Sequence, residues 1–136
     1  MLQKYSLKLG FSIAPNVFGY GLVIPHYGII VVGSGNKIGN YAVLHTMTCI
    51  TSGKKTIGDG LYLSVGSIIL KDVQLDDNVT IAANSVINCN IDRSNSLVTG
   101  IPTRIIRESL PWFIRDGNEY NRRHDSIESL KRKMNI

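Results

Sequence analysis

Between Ile57 and Ile87 an aliphatic residue returns at every sixth position: Ile57, Leu63, Ile69, Leu75, Ile81 and Ile87. An amphipathic helix repeats at about 3.6 residues and a half-buried strand at about 2, so a six-residue period belongs to neither. The position four residues after each aliphatic is also restricted, reading Leu61, Ser67, Val73, Val79, Ser85 and Ile91. Small residues and Val there suit a narrow core filled by the aliphatic beside them. The pattern predicts an all-β fold, a parallel β-helix of hexapeptide repeats in which three short strands make one coil. Coils stack at the ~4.8 Å strand spacing of a sheet. The helix is expected over roughly residues 13–100, with eighteen-residue coils the commonest.

The step is visible earlier, with two slips. It runs from Phe18 through Ile24 to Ile30, shifts by two residues to Ile38, continues to Leu44 and Ile50, and shifts by one to Ile57. These shifts predict corner insertions at 34–37 and 51–56, the second polar, basic and glycine-containing as a protruding loop should be. Before the repeat, Tyr5, Leu7, Leu9 and Phe11 alternate with polar or small residues, which predicts a short strand capping the open end. Beyond Arg107 the repeat stops, dividing the chain into a β-helix over 1–107 and a helical extension over 108–136. There, Ser109-Leu110-Pro111 reads as a helix start and Asp116-Gly117 as its break. Asp125-Ser126-Ile127-Glu128 has capping-box spacing, which predicts a second helix with Ile127, Leu130 and Met134 on one face. Trp112, Phe113 and Ile114 are expected to cover the last coil or an adjacent subunit.

Composition narrows the function classes. The formal charge of +5 in 136 residues raises the question of nucleic acid. Much of that charge, however, sits in Arg122, Arg123, Lys131, Arg132 and Lys133, without interleaved aromatics, as on a solvated helix face. Neither nucleic acid nor membrane contact is expected. No apolar run is long enough to span a bilayer, and the first residues lack signal-peptide order, so the expected location is cytoplasmic. Cys49 and Cys89 have no metal-ligand or disulfide spacing and read as ordinary, buried β-helix residues. No metal is expected, and His124 reads as solvated.

The register also places chemistry. Ile24, Leu44, Leu63 and Ile81 are three rungs apart, so the residues after them line one corner: Pro25-His26, His45-Thr46, Ser64-Val65 and Ala82-Ala83. Two of the three histidines therefore share one edge on adjacent coils, with small residues below. A base above a smooth groove suits an extended thioester, whose amides can pair with the backbone, and a histidine with a reference pKa of about 6.5 is suited to take a proton near neutral pH.

His26 stands in Ile24-Pro25-His26-Tyr27-Gly28-Ile29-Ile30-Val31-Val32-Gly33, which resembles the histidine segment of serine acetyltransferases and of capsular or exopolysaccharide O-acetyltransferases. Ser64-Val65-Gly66-Ser67 and Ala82-Ala83-Asn84-Ser85 occupy the places of that family's Gly-Ala-Gly runs, and Gly100-Ile101-Pro102-Thr103-Arg104 resembles its ending motif. The chain, over about residues 9–107, is similar to the left-handed β-helix acyltransferases. This resemblance implies a left-handed coil and acetyl transfer from acetyl-CoA to a hydroxyl, in a homotrimer with sites between subunits. His26 is then the general base, with His45 a weaker second catalytic candidate. Ser64, Gly66, Ala82, Ala83 and Gly100 would line the cofactor, and Arg104 and Arg107 would meet its phosphates. Tyr27, and Lys54 near the place of the family's second histidine, would meet the acceptor.

The chain departs from the family where serine acetyltransferases supply carboxylates beside the histidine: it has Ser12 and Pro25. Missing carboxylates favour a neutral acceptor, a sugar hydroxyl of surface-polysaccharide synthesis with Tyr20, Tyr27 and Tyr41 as walls, over serine and its ammonium group. Serine O-acetylation is the alternative within the class. A metal-dependent hydratase needs three histidines shared between subunits, which the spacing of His26 and His45 does not provide. A non-catalytic β-helix that only assembles is the alternative from another class.

Overall fold

The computed structural model describes residues 2–136. In chain order it contains helix α1 (Leu2–Leu9) and strands β1 (Phe11–Ile13), β2 (Ile30–Val32), β3 (Lys37–Ile38), β4 (Val43–Leu44), β5 (Thr48–Ile50) and β6 (Thr56–Ile57). Strands β7 (Tyr62–Leu63), β8 (Ile68–Ile69), β9 (Gln74–Leu75), β10 (Val79–Ile81), β11 (Val86–Ile87), β12 (Ser96–Thr99) and β13 (Arg104–Glu108) follow, then helices α2 (Trp112–Arg115) and α3 (Asn118–Met134). Three sheets form the sides of a prism, ordered β1-β2-β5-β8-β11, β3-β6-β9 and β13-β12-β10-β7-β4. Every pairing is parallel except β12 with β13. The expected β-helix is thus present.

The six-residue aliphatics point inward. Ile57, Leu63, Ile69, Leu75, Ile81 and Ile87 are all buried in one continuous core, together with Leu44, Ile50 and Val98. Corners turn because particular residues accept left-handed backbone. Tyr41, Asn78 and Asn95 do so at one edge, and Met47, Gly66 and Asn84 at the edge carrying the histidines. Asx side chains tie coils together: the backbone N–H groups of Tyr20, Asn40 and Asp59 donate to the side chains of Asn40 (3.0 Å), Asp59 (2.7 Å) and Asp77 (2.7 Å), each one coil on.

Register corrects one expectation. Val32, and not only Ile30, is buried, and β2 aligns Val32 with Ile50. Counted from Val32, the step to Ile38 is the regular six residues, whereas Ile24 to Val32 spans eight. The two-residue insertion therefore belongs to the corner over 25–29, and not to 34–37. Periodicity alone could not decide, because Ile30 and Val32 are both aliphatic and both inward. The one-residue insertion at 51–56 is where the sequence places it: the interval from Val31 to Cys49 is 18 residues and from Cys49 to Ile68 is 19.

The ends differ from expectation. Residues 2–9 form a helix, not a capping strand; only Phe11 onward pairs, with β2. Tyr5, Leu7 and Leu9 are exposed, so their alternation has no sheet to pack on. The second C-terminal helix starts at Asn118, seven residues before the supposed capping box, and Ser126 bonds back to the Arg122 carbonyl at 2.9 Å inside it. The break at Asp116-Gly117 is real: Asp116 closes α2. The two helices do not cover the last coil. They lie on the outer face of β4 and β7, where Trp112 and Phe113 pack with Tyr41, Val43 and Tyr62. The Trp112 indole donates to the Tyr41 carbonyl at 2.7 Å. Both cysteines lie outside the core, Cys49 half-buried and Cys89 exposed.

Trp112 is the nail of this attachment. Trp112→Ala is expected to lower unfolding free energy by about 3–5 kcal/mol, the usual range for large aromatics in a core. Urea unfolding followed by circular dichroism checks it; a loss below ~1 kcal/mol would mean that the helices are held by other contacts.

Candidate active site

The corner between the sheet of β4, β7 and β10 and that of β5, β8 and β11 brings the predicted residues into line. Leu44, Leu63, Ile81 and Val98 stack through paired strands, and the residues after them donate down the ladder. The N–H groups of His45, Ser64 and Ala82 reach the carbonyls of Leu63 (3.1 Å), Ile81 (3.2 Å) and Val98 (2.9 Å). Gly66 and Asn84 donate the other way, to Thr46 (3.2 Å) and Val65 (2.9 Å) of the preceding coil. Val65 and Ala83 stand exposed at the apex between these anchored points. Gly66 carries a φ of 73°, the left-handed turn that favours glycine.

His26 and Tyr27 sit on the lengthened corner above, both exposed, Tyr27 at 78%. The inward aliphatics are fixed by stacking, so two extra residues have only outward space. Among the described residues no hydrogen-bond partner holds the His26 ring, and Ser12 and Pro25 leave the family's carboxylate places without a charge.

His45 is held. Its Nε2 lies 2.8 Å from the Tyr62 hydroxyl, with the rings 5.1 Å apart. Its pKa is lowered from 6.5, first by burial and then by the charge of His26, with Asp116 opposing. The Arg115 guanidinium lies 4.6 Å over the Tyr62 ring, pairs with Asp116 at 2.8 Å and donates to Thr80 at 2.9 Å. Tyr62, Arg115 and Asp116 were not singled out as site residues from sequence. The available signal was a bulky phenol directly before an inward Leu at a corner, which periodicity reads only as an outward position.

Downstream, Gly100 passes against β11: a Cβ there would lie 2.3 Å from the Val86 nitrogen. Thr103 donates to the Val86 carbonyl at 3.1 Å. A cavity of about 330 Å³ lies between Val86, Asn88 and Ile101–Thr103. Arg104 opens β13 opposite Thr99, beside the same corner, whereas Arg107 pairs opposite Leu97, about 10 Å along the strand. Both are exposed.

Other candidates lie elsewhere. Lys54 is exposed on a different corner of the prism, its N–H donating to Asp72 at 2.7 Å, so one chain does not bring it to His26. Its neighbour Lys55 is wholly buried, donating to the Thr51 carbonyl (2.7 Å) and hydroxyl (3.0 Å), and burial lowers its pKa. Tyr20 and Tyr41 are not open walls. Both phenols donate to Glu128 of α3, at 3.0 and 2.6 Å, and Lys131 lies over Tyr20. Lys131 is therefore a packed residue of the basic segment. His124 is not solvated either: it stacks on Phe113 at 4.1 Å. No group of metal-ligating side chains is present among the described residues. No described helix is long and apolar enough to cross a membrane.

Stacked parallel rungs at a six-residue period define a hexapeptide β-helix. The chain is 30% identical over 139 aligned positions to the serine acetyltransferase of Staphylococcus aureus, covering 92% of this chain and 63% of that relative. It is 30% identical to that of Synechococcus elongatus, covering 76% of this chain and 45% of the relative. Among solved structures, the Neisseria gonorrhoeae serine acetyltransferase superposes with a TM-score of 0.66 at 24% identity, over 79% of this chain and 44% of that one. AntD, an N-acyltransferase from Bacillus cereus, superposes with a TM-score of 0.57 at 16% identity, over 88% and 96%. No protein-family model matches. The chain thus has the left-handed β-helix fold of these solved structures and is similar in sequence to serine acetyltransferases, spanning 63% of the length of its Staphylococcus aureus relatives.

His45 is neutral in the folded chain where a free histidine would protonate. Stability tied to it is complete above 6.5 and is lost as pH falls through that value toward the lower folded one. Proton-detected NMR should place the His45 midpoint below 6.5, and His26→Ala should raise it. A midpoint at or above 6.5 would contradict the burial and repulsion described here.

Proposed function

We propose that this chain transfers an acetyl group from acetyl-CoA to a hydroxyl, with His26 as general base, in a homotrimer whose sites lie between subunits. The observation carrying this reading is the lengthened corner that presents His26 alone above a ladder of small residues. Bulky side chains would block that edge, whereas Ser64, Gly66, Ala82 and Ala83 leave room for an extended pantetheine chain. Arg104 at the end of the corner suits a phosphate through its guanidinium fork, with Arg107 further along β13.

The chemistry follows from these places. His26 takes the hydroxyl proton as the oxygen attacks the thioester carbonyl. The resulting oxyanion needs a donor, which neutral His45 on the coil below can offer through a ring N–H. Collapse expels the CoA sulfur, which takes the proton back from His26. A single prism supplies one wall only. Ile29 and Met47, each 65% exposed, and Val31, 36% exposed, form an apolar strip beside the corner that a second copy would cover. Val43, by contrast, is buried under α2 and α3 and offers no interface. Lys54, on another corner, could meet the acceptor only from that second copy.

For the acceptor we favour a sugar hydroxyl. Ser12 and Pro25 provide no charge for an ammonium group, and an unpaired ammonium in a closed cleft is destabilising. Tyr27 remains open to a saccharide ring, while Tyr20 and Tyr41 are taken by Glu128. The second reading, serine, is favoured by the relatives, which are serine acetyltransferases.

Release of CoA thiol from acetyl-CoA, measured with serine and with nucleotide sugars side by side, tests this. His26→Ala should lower kcat by about 10²–10⁴ with the fold intact. Near-normal turnover in that variant would remove His26 from the mechanism, and turnover with serine alone would assign the acceptor to the second reading. Ala83→Trp should weaken CoA binding at least tenfold while sedimentation still reports a trimer; unchanged affinity would place the cofactor elsewhere.

A further inference from the structure

The two histidines of the corner are supported unequally. Among the described residues His26 has no hydrogen-bond partner, whereas His45 heads a connected series leading out of the β-helix into the C-terminal extension. Tyr62 on β7 touches His45 Nε2 at 2.8 Å. Arg115, the last residue of α2, covers the Tyr62 ring at 4.6 Å and is itself fixed by Asp116 at 2.8 Å, Thr80 at 2.9 Å and Ser109 at 3.3 Å. Trp112 fixes α2 in turn by its bond to Tyr41. Thr80 and Ser109 are buried, so the clamp on the phenol is anchored on both sides.

The hydrogen bond has a preferred direction. Tyr62 is half-buried, and His45 is the partner found for its hydroxyl. If imidazole Nε2–H donated to the phenol oxygen, the phenol O–H would be left unpaired in a partly desolvated place, which is costly. With Tyr62 donating, both groups are satisfied, and the imidazole proton resides on Nδ1. Burial first and then Asp116 raise the Tyr62 pKa, while Arg115 opposes, so the phenol keeps the proton it donates.

We propose that Tyr62, braced by Arg115 and Asp116 of the C-terminal extension, is a positioning residue that fixes His45 as the Nδ1–H tautomer, so that its free N–H serves the acyl-transfer corner as a donor. The proposal rests on the acyltransferase reading for its kinetic consequence, but not for the tautomer. It gives the extension a role in the site: the carboxylate missing beside His26 has a counterpart in Asp116, which acts through Arg115 and Tyr62 on the neighbouring histidine. The charged and titratable groups facing His45 are His26 from the corner above, Tyr62 from β7, and Arg115 with Asp116 from the end of α2.

The test uses the full chain. Nitrogen-15 NMR of histidine side chains in the wild type should show a protonated Nδ1 and an unprotonated Nε2 at His45. Tyr62→Phe should convert this to a mixture of tautomers and lower kcat at least tenfold, with KM for acetyl-CoA changed less than twofold. Asp116→Asn, an exposed substitution that carries the test should Tyr62→Phe fail to fold, should lower the His45 midpoint read by the same NMR experiment. A wild-type His45 protonated on Nε2, or a tautomer and midpoint unmoved by both variants, would overturn the proposal. If the wild type releases no CoA thiol with any acceptor, the acyltransferase reading fails, while the NMR result still decides the positioning of His45.

Discussion

Everything in this molecule depends on the bond between one coil and the next. Each rung is only two to four residues long, far too short to be stable alone, and it persists because its N–H and C=O groups pair with rungs above and below while its aliphatic drops onto the aliphatic beneath. Stacking at that fixed spacing makes inward positions non-negotiable. It also makes corners permissive, since a corner residue need only preserve the turn. The wholly buried Lys55 shows the limit of that permission: in the inserted loop over 51–56 its ammonium is satisfied by the carbonyl and hydroxyl of Thr51, because a buried donor without partners would be too costly.

The chemistry of the corner grows from the same rule. Two additional residues between Ile24 and Val32 cannot enter the prism, so they lift His26 and Tyr27 away from it. On the next coil the corner is regular, and His45 lies close against the sheet, where Tyr62 can reach it. One edge thus holds two histidines of different character, one exposed, the other partly desolvated and oriented by Tyr62. Repulsion between them disfavours charging both, which suits a pair of which one accepts a proton and the other donates a hydrogen bond.

The C-terminal extension is part of this arrangement and not an appendage to it. It covers an aromatic outer face, Tyr20, Tyr41 and Tyr62, that a bare prism would leave wet. Glu128 accepts from both Tyr20 and Tyr41, and those bonds hold its carboxyl below the usual carboxylate range. Burial with the same carboxylate raises the Tyr41 phenol. The bond network therefore joins the first coils to α3, and Arg115 with Asp116 extends it to the edge of the site.

The sequence by itself determined the prism, its three-rung coils and the edge on which His26, His45, Ser64 and Ala82 meet, because a period of six fixes which residues point inward and which follow them at a corner. It could not determine where the two-residue slip falls, since Ile30 and Val32 are equally aliphatic and only pairing with Thr48 and Ile50 separates them. Nor could it show that residues 2–9 coil, or that the extension folds back along β4 and β7. Those outcomes are set by which surfaces remain uncovered once the coils have stacked. Tyr62 is distant along the chain from the adjacent Arg115 and Asp116, and no repeat links them. Only the tertiary packing of α2 against the sheet places them behind His45, and with them the orientation of a ring that the sequence could only locate.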